Sequence, residues 1–236
     1  MNGNSPTGSS AAEEVNHAEN AGGGIVPPSV KSIRQDQMVV IVVHLVFVVS
    51  GVSALLYQLV WQRSLLLLYG SNTESVAMVV SAFLTGLGLG SVAGGAISKV
   101  ERAPLVLLFS GIELGIGLYG IFSLQLFHWV GEYTLTAGTL ETGLLAFALV
   151  LVPTLLMGAT LPLLVAYRVN TSGHVGRSVS WLYFVNTLGA GLGAFAAAVV
   201  FFSAFGLSGT VRLAATLNVI SALSILSLCL LRRKQP

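Results

Sequence analysis

Apolar residues run almost without interruption from residue 38 to residue 231, and short polar segments divide them into six stretches. Each stretch has the ~20 apolar residues that a helix needs to cross a hydrocarbon core of ~30 Å. These runs are too long, and alternate too little, to be strands of a membrane barrel. The pattern therefore predicts an all-α integral membrane protein with six transmembrane helices, at residues 38–60, 75–98, 104–127, 142–167, 178–204 and 210–231.

The composition agrees with a lipid environment and sets the two ends of the chain apart. Of the 236 residues, 54% are hydrophobic and 8% are charged, and the mean hydropathy is +0.85. Residues 1–37 are instead rich in Asn, Gly, Ser, Ala and Glu, so they bury too little apolar surface to fold. We therefore predict a disordered cytoplasmic tail at 1–37, a transmembrane domain at 38–231 and a basic cytoplasmic end at 232–236.

The basic residues are divided unequally between the two sides that six alternating crossings define. Arg63 and Arg212 lie on one side, and the other nine lie on the opposite side. Those nine are Lys31, Arg34, Lys99, Arg102, Arg168, Arg177, Arg232, Arg233 and Lys234. Because Lys and Arg concentrate in cytoplasmic loops, the pattern predicts a multi-pass protein of the plasma (inner) membrane with both termini in the cytoplasm. Charges spread this thinly give no support for nucleic-acid binding.

The residue types that carry metal or catalytic chemistry are scattered along the chain. His17, His44, His128 and His174 lie in different segments, and Cys229 is the single cysteine. A metal site needs several such side chains at close spacing. The sequence also lacks a phosphate-binding loop, paired carboxylates and a Ser/His/Asp set. We therefore expect no metal, no cofactor and no enzyme activity from this chain alone.

A short motif in the second predicted span recurs in the fifth. Residues 83–90 and 184–191 share the pattern FxxxLGxG, at an offset of 101 residues. This offset corresponds to three spans, so the two copies run through the membrane in opposite directions. The motif therefore predicts an inverted three-plus-three repeat, the plan of one half of a major-facilitator transporter.

Small residues recur at helical spacing in the same two spans. Gly86, Gly90 and Gly94 are four residues apart and lie on one helix face, and Gly189 and Gly193 repeat the spacing in the fifth span. Membrane helices associate through such faces because glycine lets two backbones approach closely. We predict that these glycines pack helices together.

One carboxylate lies deep in a predicted span. Glu113 is nine residues into the third span, or ~13 Å at ~1.5 Å per residue, which is near the bilayer centre. Thr85, Thr160, Asn186 and Asn218 fall at about the same depth in their own spans. A polar layer at the midplane predicts a substrate site of the transporter kind. The alternative is a hydrogen-bond network, at ~0.6 kcal/mol per bond, that only holds the helices together.

The fourth predicted span contains two prolines and a glycine, Pro153, Gly158 and Pro162. Each proline removes a backbone hydrogen bond and crowds the carbonyl four residues earlier. We therefore predict a kinked or broken helix, whose freed carbonyls could coordinate a cation or simply serve packing.

Four segments resemble a known family, the membrane domain of fused major-facilitator and spermidine-synthase-like proteins. The segments are LLYQLVWQR at 55–63, ELGIGLYG at 113–120, PTLLMGATLPLL at 153–164 and GRSVSWLYFVNTLGAGLGA at 176–194. The resemblance covers about 47–231 and marks polar positions at Tyr57, Gln58, Trp61, Arg63, Glu113 and Asn186.

The resemblance implies a connection to polyamines but no catalysis. Relatives of this kind continue into a soluble aminopropyltransferase-like domain, which is not found in these 236 residues. We therefore expect a non-catalytic membrane module that anchors an aminopropyltransferase-like partner or handles a small cationic metabolite. One alternative is a homodimer of half-units that transports a small cation or polyamine. Another is a structural subunit of a membrane complex.

Overall fold

The computed structural model describes residues 30–69, 73–136, 138–172 and 175–233, and these residues are almost entirely helical. No strand occurs within these ranges, so the predicted all-α fold is confirmed for them. A 3-10 turn at Thr134–Thr136 follows the third helix, and a π turn at Ala197–Phe201 joins the fifth helix to the sixth. The helices are α1 (Val30–Tyr69), α2 (Thr73–Ser98), α3 (Leu105–Tyr133), α4 (Thr139–Ser172), α5 (Val175–Ala196) and α6 (Phe202–Arg233).

Five helical stretches are long and apolar enough to cross a membrane, judged by length and composition. They are Gln37–Leu67, Val76–Ser98, Leu105–Tyr133, Leu140–Asn170 and Val175–Leu228. The first four correspond to the first four predicted spans, while the last joins predicted spans five and six. Such stretches are compatible with a multi-pass membrane protein, and the number of crossings stays a prediction.

The long fifth stretch is interrupted at Gly206. This residue has φ 63° and ψ −170°, which is not helical, although helix surrounds it. That part of backbone space is accessible almost only to glycine. Gly206 lies between residues 204 and 210, where the sequence separates the fifth predicted span from the sixth.

Replacing Gly206 tests whether the backbone conformation at this interruption requires glycine. We expect Gly206→Ala to lower the free energy of unfolding by about 1–3 kcal/mol, because a Cβ strains this conformation. Gly111→Ala is the matched control, since Gly111 is helical and its added Cβ meets no neighbouring atom. Thermal unfolding in detergent should show a lower midpoint for the first variant only. Equal midpoints would contradict a glycine-dependent turn at 206.

The predicted tail at 1–37 and the predicted basic end at 232–236 are only partly covered by the described residues. Helix α1 begins at Val30, so residues 30–37 are helical where the sequence predicts part of a disordered tail. The prediction for residues 1–29 lies outside the described residues. The chain divides into two units between residues 38 and 39, and of the first unit only the helical residues 30–38 are described. The basic end is described only as the last backbone residues of α6, Arg232 and Arg233.

The second unit is built on two apolar clusters. One contains Trp61 of α1 and Phe127 of α3, and the other contains Phe47 of α1 and Phe109 of α3. All four of these side chains are fully buried. The segments between the buried members of the two clusters, 48–55 in α1 and 110–115 in α3, carry polar residues described below.

Helix α4 stays helical from Thr139 to Ser172 through Pro153, Gly158 and Pro162. The helix is therefore not broken there, and the kink that the sequence also allowed stays a prediction. Pro153 cannot donate to the carbonyl of Leu149, four residues earlier. The Tyr119 hydroxyl of α3 donates to that carbonyl instead. A neighbouring helix thus replaces the lost bond, which is how proline is tolerated inside membrane helices.

Candidate functional site

A cavity of about 110 Å³ lies at the centre of the helices, and residues of all six helices line it. Several apolar side chains, such as Phe83, Ile116 and Met157, form part of its wall. Its polar lining comes from four different helices and consists of Ser50, Thr160, Asn186 and Asn218. The cavity has room for several water molecules, or for a small polar solute in their place.

Glu113 lies beside this cavity and is fully buried, with a relative exposure of 0%. The hydroxyl of Ser50 donates a hydrogen bond of 2.7 Å to Glu113 Oε1. The other carboxylate oxygen, Oε2, has no hydrogen-bond partner among the described residues. Because Ser50 also lines the cavity, it links the carboxylate to the cavity.

No described residue forms an ion pair with Glu113. Helix α3 contains neither Lys nor Arg, and the contact between His128 and Glu132 lies at an exposed position near its end. An ionisable group at this depth costs ~2.5 kcal/mol or more and usually faces a cavity or a partner. A cation from outside the described chain would balance it.

The structure brings together four of the five residues of the predicted polar layer. Thr160, Asn186 and Asn218 line the cavity, and Glu113 lies next to it through Ser50. Thr85 is exposed on the outer face of α2 and takes no part. Thr85 lies at the predicted depth but points away from the cavity. Phe83 and Leu87, two positions before and after it, line the cavity, and side chains two positions apart point to nearly opposite sides of a helix.

Two aromatic residues of the family resemblance support the site from one side. The rings of Tyr57 and Trp61 are stacked, with centroids 4.9 Å apart, and both side chains are fully buried. Trp61 Nε1 donates to the Ser123 hydroxyl at 2.9 Å. A Cβ at Gly120 would overlap the Tyr57 ring, so this part of α3 packs directly on α1. These residues hold the two helices in register.

The other two polar positions of that segment lie away from the cavity. Gln58 is half-buried, and Arg63 is exposed. The Arg63 guanidinium carbon lies 5.4 Å from the centroid of the Phe202 ring, a cation–π contact between α1 and α6. Neither residue lines the cavity.

Helices α2 and α4 approach each other closely enough to exclude side chains. At three glycines, a Cβ would overlap a backbone carbonyl group of the facing helix. Gly86 behaves similarly, since its Cβ would overlap the Thr154 side chain. Gly158, which the sequence assigns to a helix break, is therefore a packing position. The glycine and carbonyl pairs are Gly90 with Leu155, Gly94 with Ala159, and Gly158 with Leu87.

Helices α1 and α5 meet in the same way. Again three glycines face carbonyl groups, two of them on α5 and one on α1. The α1 glycine faces the carbonyl of Asn186, so this close approach fixes the position of a cavity residue. The pairs are Gly189 with Val48, Gly193 with Val52, and Gly51 with Asn186.

Several residues around the site were not found from the sequence. They are Ser50, Ser110, Tyr119 and Ser221. The hydroxyls of Ser50 and Tyr119 donate hydrogen bonds to other helices, and those of Ser110 and Ser221 are buried. Serine is common in membrane helices and usually bonds its own backbone, so its identity carries little signal. The spacing of Ser110 three residues before Glu113 was the available clue.

No group of three His, Cys, Asp or Glu residues that could hold a metal ion occurs in the part of the chain that the structure describes. Comparison with protein-family models, curated proteins and solved structures finds no match to this chain.

Proposed function

We propose that this chain is a six-span membrane module whose central cavity binds a small cationic metabolite of the polyamine type. The observation that carries the proposal is the fully buried Glu113, which has no ion-pair partner among the described residues and lies beside a cavity lined by all six helices. A protonated amine supplies the missing positive charge and hydrogen-bond donors. The side-chain oxygens of Thr160, Asn186 and Asn218 can accept those donors.

Six crossings are supported by the length of the last helical stretch. Val175–Leu228 has 54 residues, or ~81 Å at ~1.5 Å per residue, more than twice the ~30 Å hydrocarbon core. The non-helical Gly206 divides it into two parts of membrane-spanning length. With six crossings, the nine-to-two division of Lys and Arg supports the proposal that both termini lie in the cytoplasm, and we propose the plasma membrane as the location.

An inverted repeat is supported by the two glycine interfaces. The three α1–α5 contacts and the three α2–α4 contacts follow the same register. The contact of Gly189 with Val48, for example, corresponds to the contact of Gly90 with Leu155. In all three pairs the α4 residue is 107 positions after the α1 residue, and the α2 residue is 99 positions before the α5 residue. The motif offset of 101 is thus two residues away from the register of the contacts. The matched pairs relate α1 to α4 and α2 to α5, which supports the plan of one half of a major-facilitator transporter.

The family resemblance remains part of the proposal and supplies the chemical class of the ligand. Each of the four resembling segments contributes to the cavity wall, through Leu55, Ile116, Met157 and Asn186 respectively. Segments that are far apart in the chain therefore converge on one place, which favours a shared binding site. The metabolite class, polyamine, comes from the resemblance alone.

A homodimer follows from the half-transporter plan. Six helices that correspond to one half of a twelve-helix transporter need a second half to enclose a pathway. We propose that a second copy of this chain supplies it. The metabolite site described above lies within one copy, so binding can be measured separately from transport.

Binding of radiolabelled putrescine to the purified protein in nanodiscs tests the proposal. We expect saturable binding, and we expect Asn186→Leu to weaken it at least about tenfold, because a cavity hydrogen-bond acceptor is lost. Asn170→Leu is the matched control, since Asn170 is exposed at the end of α4. Absence of saturable binding of putrescine and of spermidine would contradict the proposal.

Mass identification of proteins that co-purify in mild detergent separates the remaining interpretations. A homodimer alone is expected for the transporter half-unit. A soluble aminopropyltransferase-like protein in equal amount would instead support the anchoring role. Other membrane proteins in equal amount would support a structural subunit.

A further inference from the structure

A line of buried polar side chains lies where α3 meets α6, and we name it the α3–α6 seam. It consists of Ser110 and Glu113 on α3 and Asn218 and Ser221 on α6. Their relative exposures are 3%, 0%, 2% and 1%. On each helix the two residues are three positions apart, so they lie on one face.

The two helices run antiparallel along this seam. Phe109, near the start of α3, shares an apolar cluster with Ile225 in the second half of α6. Phe127, near the end of α3, shares the other cluster with Val211, near the start of α6. A Cβ at Gly117 would lie 3.2 Å from the Ala215 carbonyl oxygen and 3.5 Å from Asn218 Cβ.

This contact sets the register at the seam. Gly117 faces the turn of α6 that contains Ala215 and Asn218. Glu113 is one turn before Gly117 on α3, and in an antiparallel pair that level lies one turn further along α6 than the middle of the Ala215–Asn218 turn. Glu113 therefore lies between the levels of Asn218 and Ser221. Ser110 follows on the same face of α3.

Each seam residue has a buried oxygen without a hydrogen-bond partner in the described part of the chain. The atoms are Ser110 Oγ, Glu113 Oε2, Asn218 Oδ1 and Ser221 Oγ. Buried polar atoms are satisfied in the great majority of cases, and one without a partner is costly. Four at one helix contact point to a ligand that satisfies them together.

The chemistry of these atoms selects a small hard cation. All four are oxygens, the ligand type that alkali and alkaline-earth ions prefer, and two of them, a carboxylate and an amide oxygen, can only accept hydrogen bonds. The seam contains one acidic group, so a monovalent ion neutralises it. Calcium sites combine six to eight oxygen ligands and usually several carboxylates. We propose that the α3–α6 seam binds a sodium ion through Glu113, Asn218, Ser110 and Ser221.

The ion site has a consequence for the cavity that rests on the proposed function. Asn218 lines the cavity, and Glu113 is linked to it by Ser50. Sodium at the seam and an amine in the cavity would both bind to the Glu113 carboxylate, so each ligand weakens binding of the other. The sodium site itself does not depend on whether the cavity binds an amine.

Equilibrium binding of ²²Na⁺ to the full chain in nanodiscs, with choline as the replacement cation, tests the inference. We expect saturable binding in the wild type and at least about a tenfold loss of affinity in Ser110→Ala and Ser221→Ala. Ser227→Ala is the matched control, because this exposed α6 serine donates only to its own helix, at Leu223. Unfolding in choline chloride checks the fold. Removing an unpartnered hydroxyl should leave the ion-free midpoint unchanged or raise it.

Two outcomes would overturn the sodium site. One is absence of saturable ²²Na⁺ binding in the wild type, which would leave water as the occupant of the seam. The other is equal affinity in the Ser110, Ser221 and Ser227 variants. Putrescine binding is measured in choline chloride, without sodium, to test the proposed function separately. If putrescine binds and sodium does not, only the seam proposal is refuted.

Discussion

Glu113→Gln should weaken putrescine binding by about 100-fold, while the protein stays folded. The exchange removes the buried charge beside the cavity and keeps the size of the side chain. Its amide oxygen can still accept the 2.7 Å hydrogen bond that the Ser50 hydroxyl donates to Glu113 Oε1. Hydrogen bonds to a charged group are worth about 1.5–3 kcal/mol, and the upper end corresponds to this loss of affinity. Radioligand binding in nanodiscs measures the effect.

The controls for Glu113→Gln separate charge from general damage. Glu132→Gln removes an acid from the same helix, but its side chain is 64% exposed, and we expect unchanged affinity. Thermal unfolding should show that Glu113→Gln is at least as stable as the wild type, because the amide has a similar size and carries no charge that burial would penalise. Equal putrescine affinity in the Glu113 and Glu132 variants would remove Glu113 from the binding site.

The helices could be predicted from the sequence because their signal is a matter of length and polarity. A run of ~20 apolar residues has few structural alternatives in a membrane, and Glu113 could be singled out because a carboxylate is rare there. The direction in which a side chain points is not part of that signal. Thr85 therefore shared a depth with Asn186 but lies on the outer face of its helix.

Helix α4 is not broken at Pro153, and the reason lies in another helix. Pro153 removes one hydrogen bond from α4, and from the sequence this reads as a break. The Tyr119 hydroxyl donates to the Leu149 carbonyl and replaces the bond. Such compensation across 30 residues depends on how α3 and α4 pack, so a pattern within one helix could not show it. The interruption found instead is at Gly206, where backbone conformation alone requires glycine.

The repeat illustrates the same limit at the level of helix contacts. The letters FxxxLGxG align Gly88 with Gly189. In the structure Gly189 faces the Val48 carbonyl group, whereas a Cβ at Gly88 would meet no atom. The equivalent of Gly189 by contact is Gly90, two residues further on. Glycine content could be read from the sequence, but which glycines face a partner helix depended on the helix pairing.

Adding a single methyl group at Gly90 or at Gly189 should destabilise the protein by a similar amount at both positions. We expect each alanine variant to lose about 1–3 kcal/mol of unfolding free energy, because the Cβ overlaps the carbonyl group of Leu155 or Val48 and the helices must separate. The similarity is expected because the two glycines occupy corresponding places in the α2–α4 and α1–α5 contacts. Unfolding of the purified variants in mixed micelles, followed by circular dichroism, measures both values.

The matched controls should not lose stability. Gly88 and Gly191 lie on the same two helices, two residues from the packing positions, and a Cβ there would meet no neighbouring atom. Alanine favours a helix over glycine by about 0.8–1.0 kcal/mol, so Gly88→Ala and Gly191→Ala should be neutral or stabilising. If Gly90→Ala destabilises and Gly189→Ala does not, the two interfaces are energetically unlike and the repeat loses its support. If all four variants behave alike, the close approach of the helices is wrong.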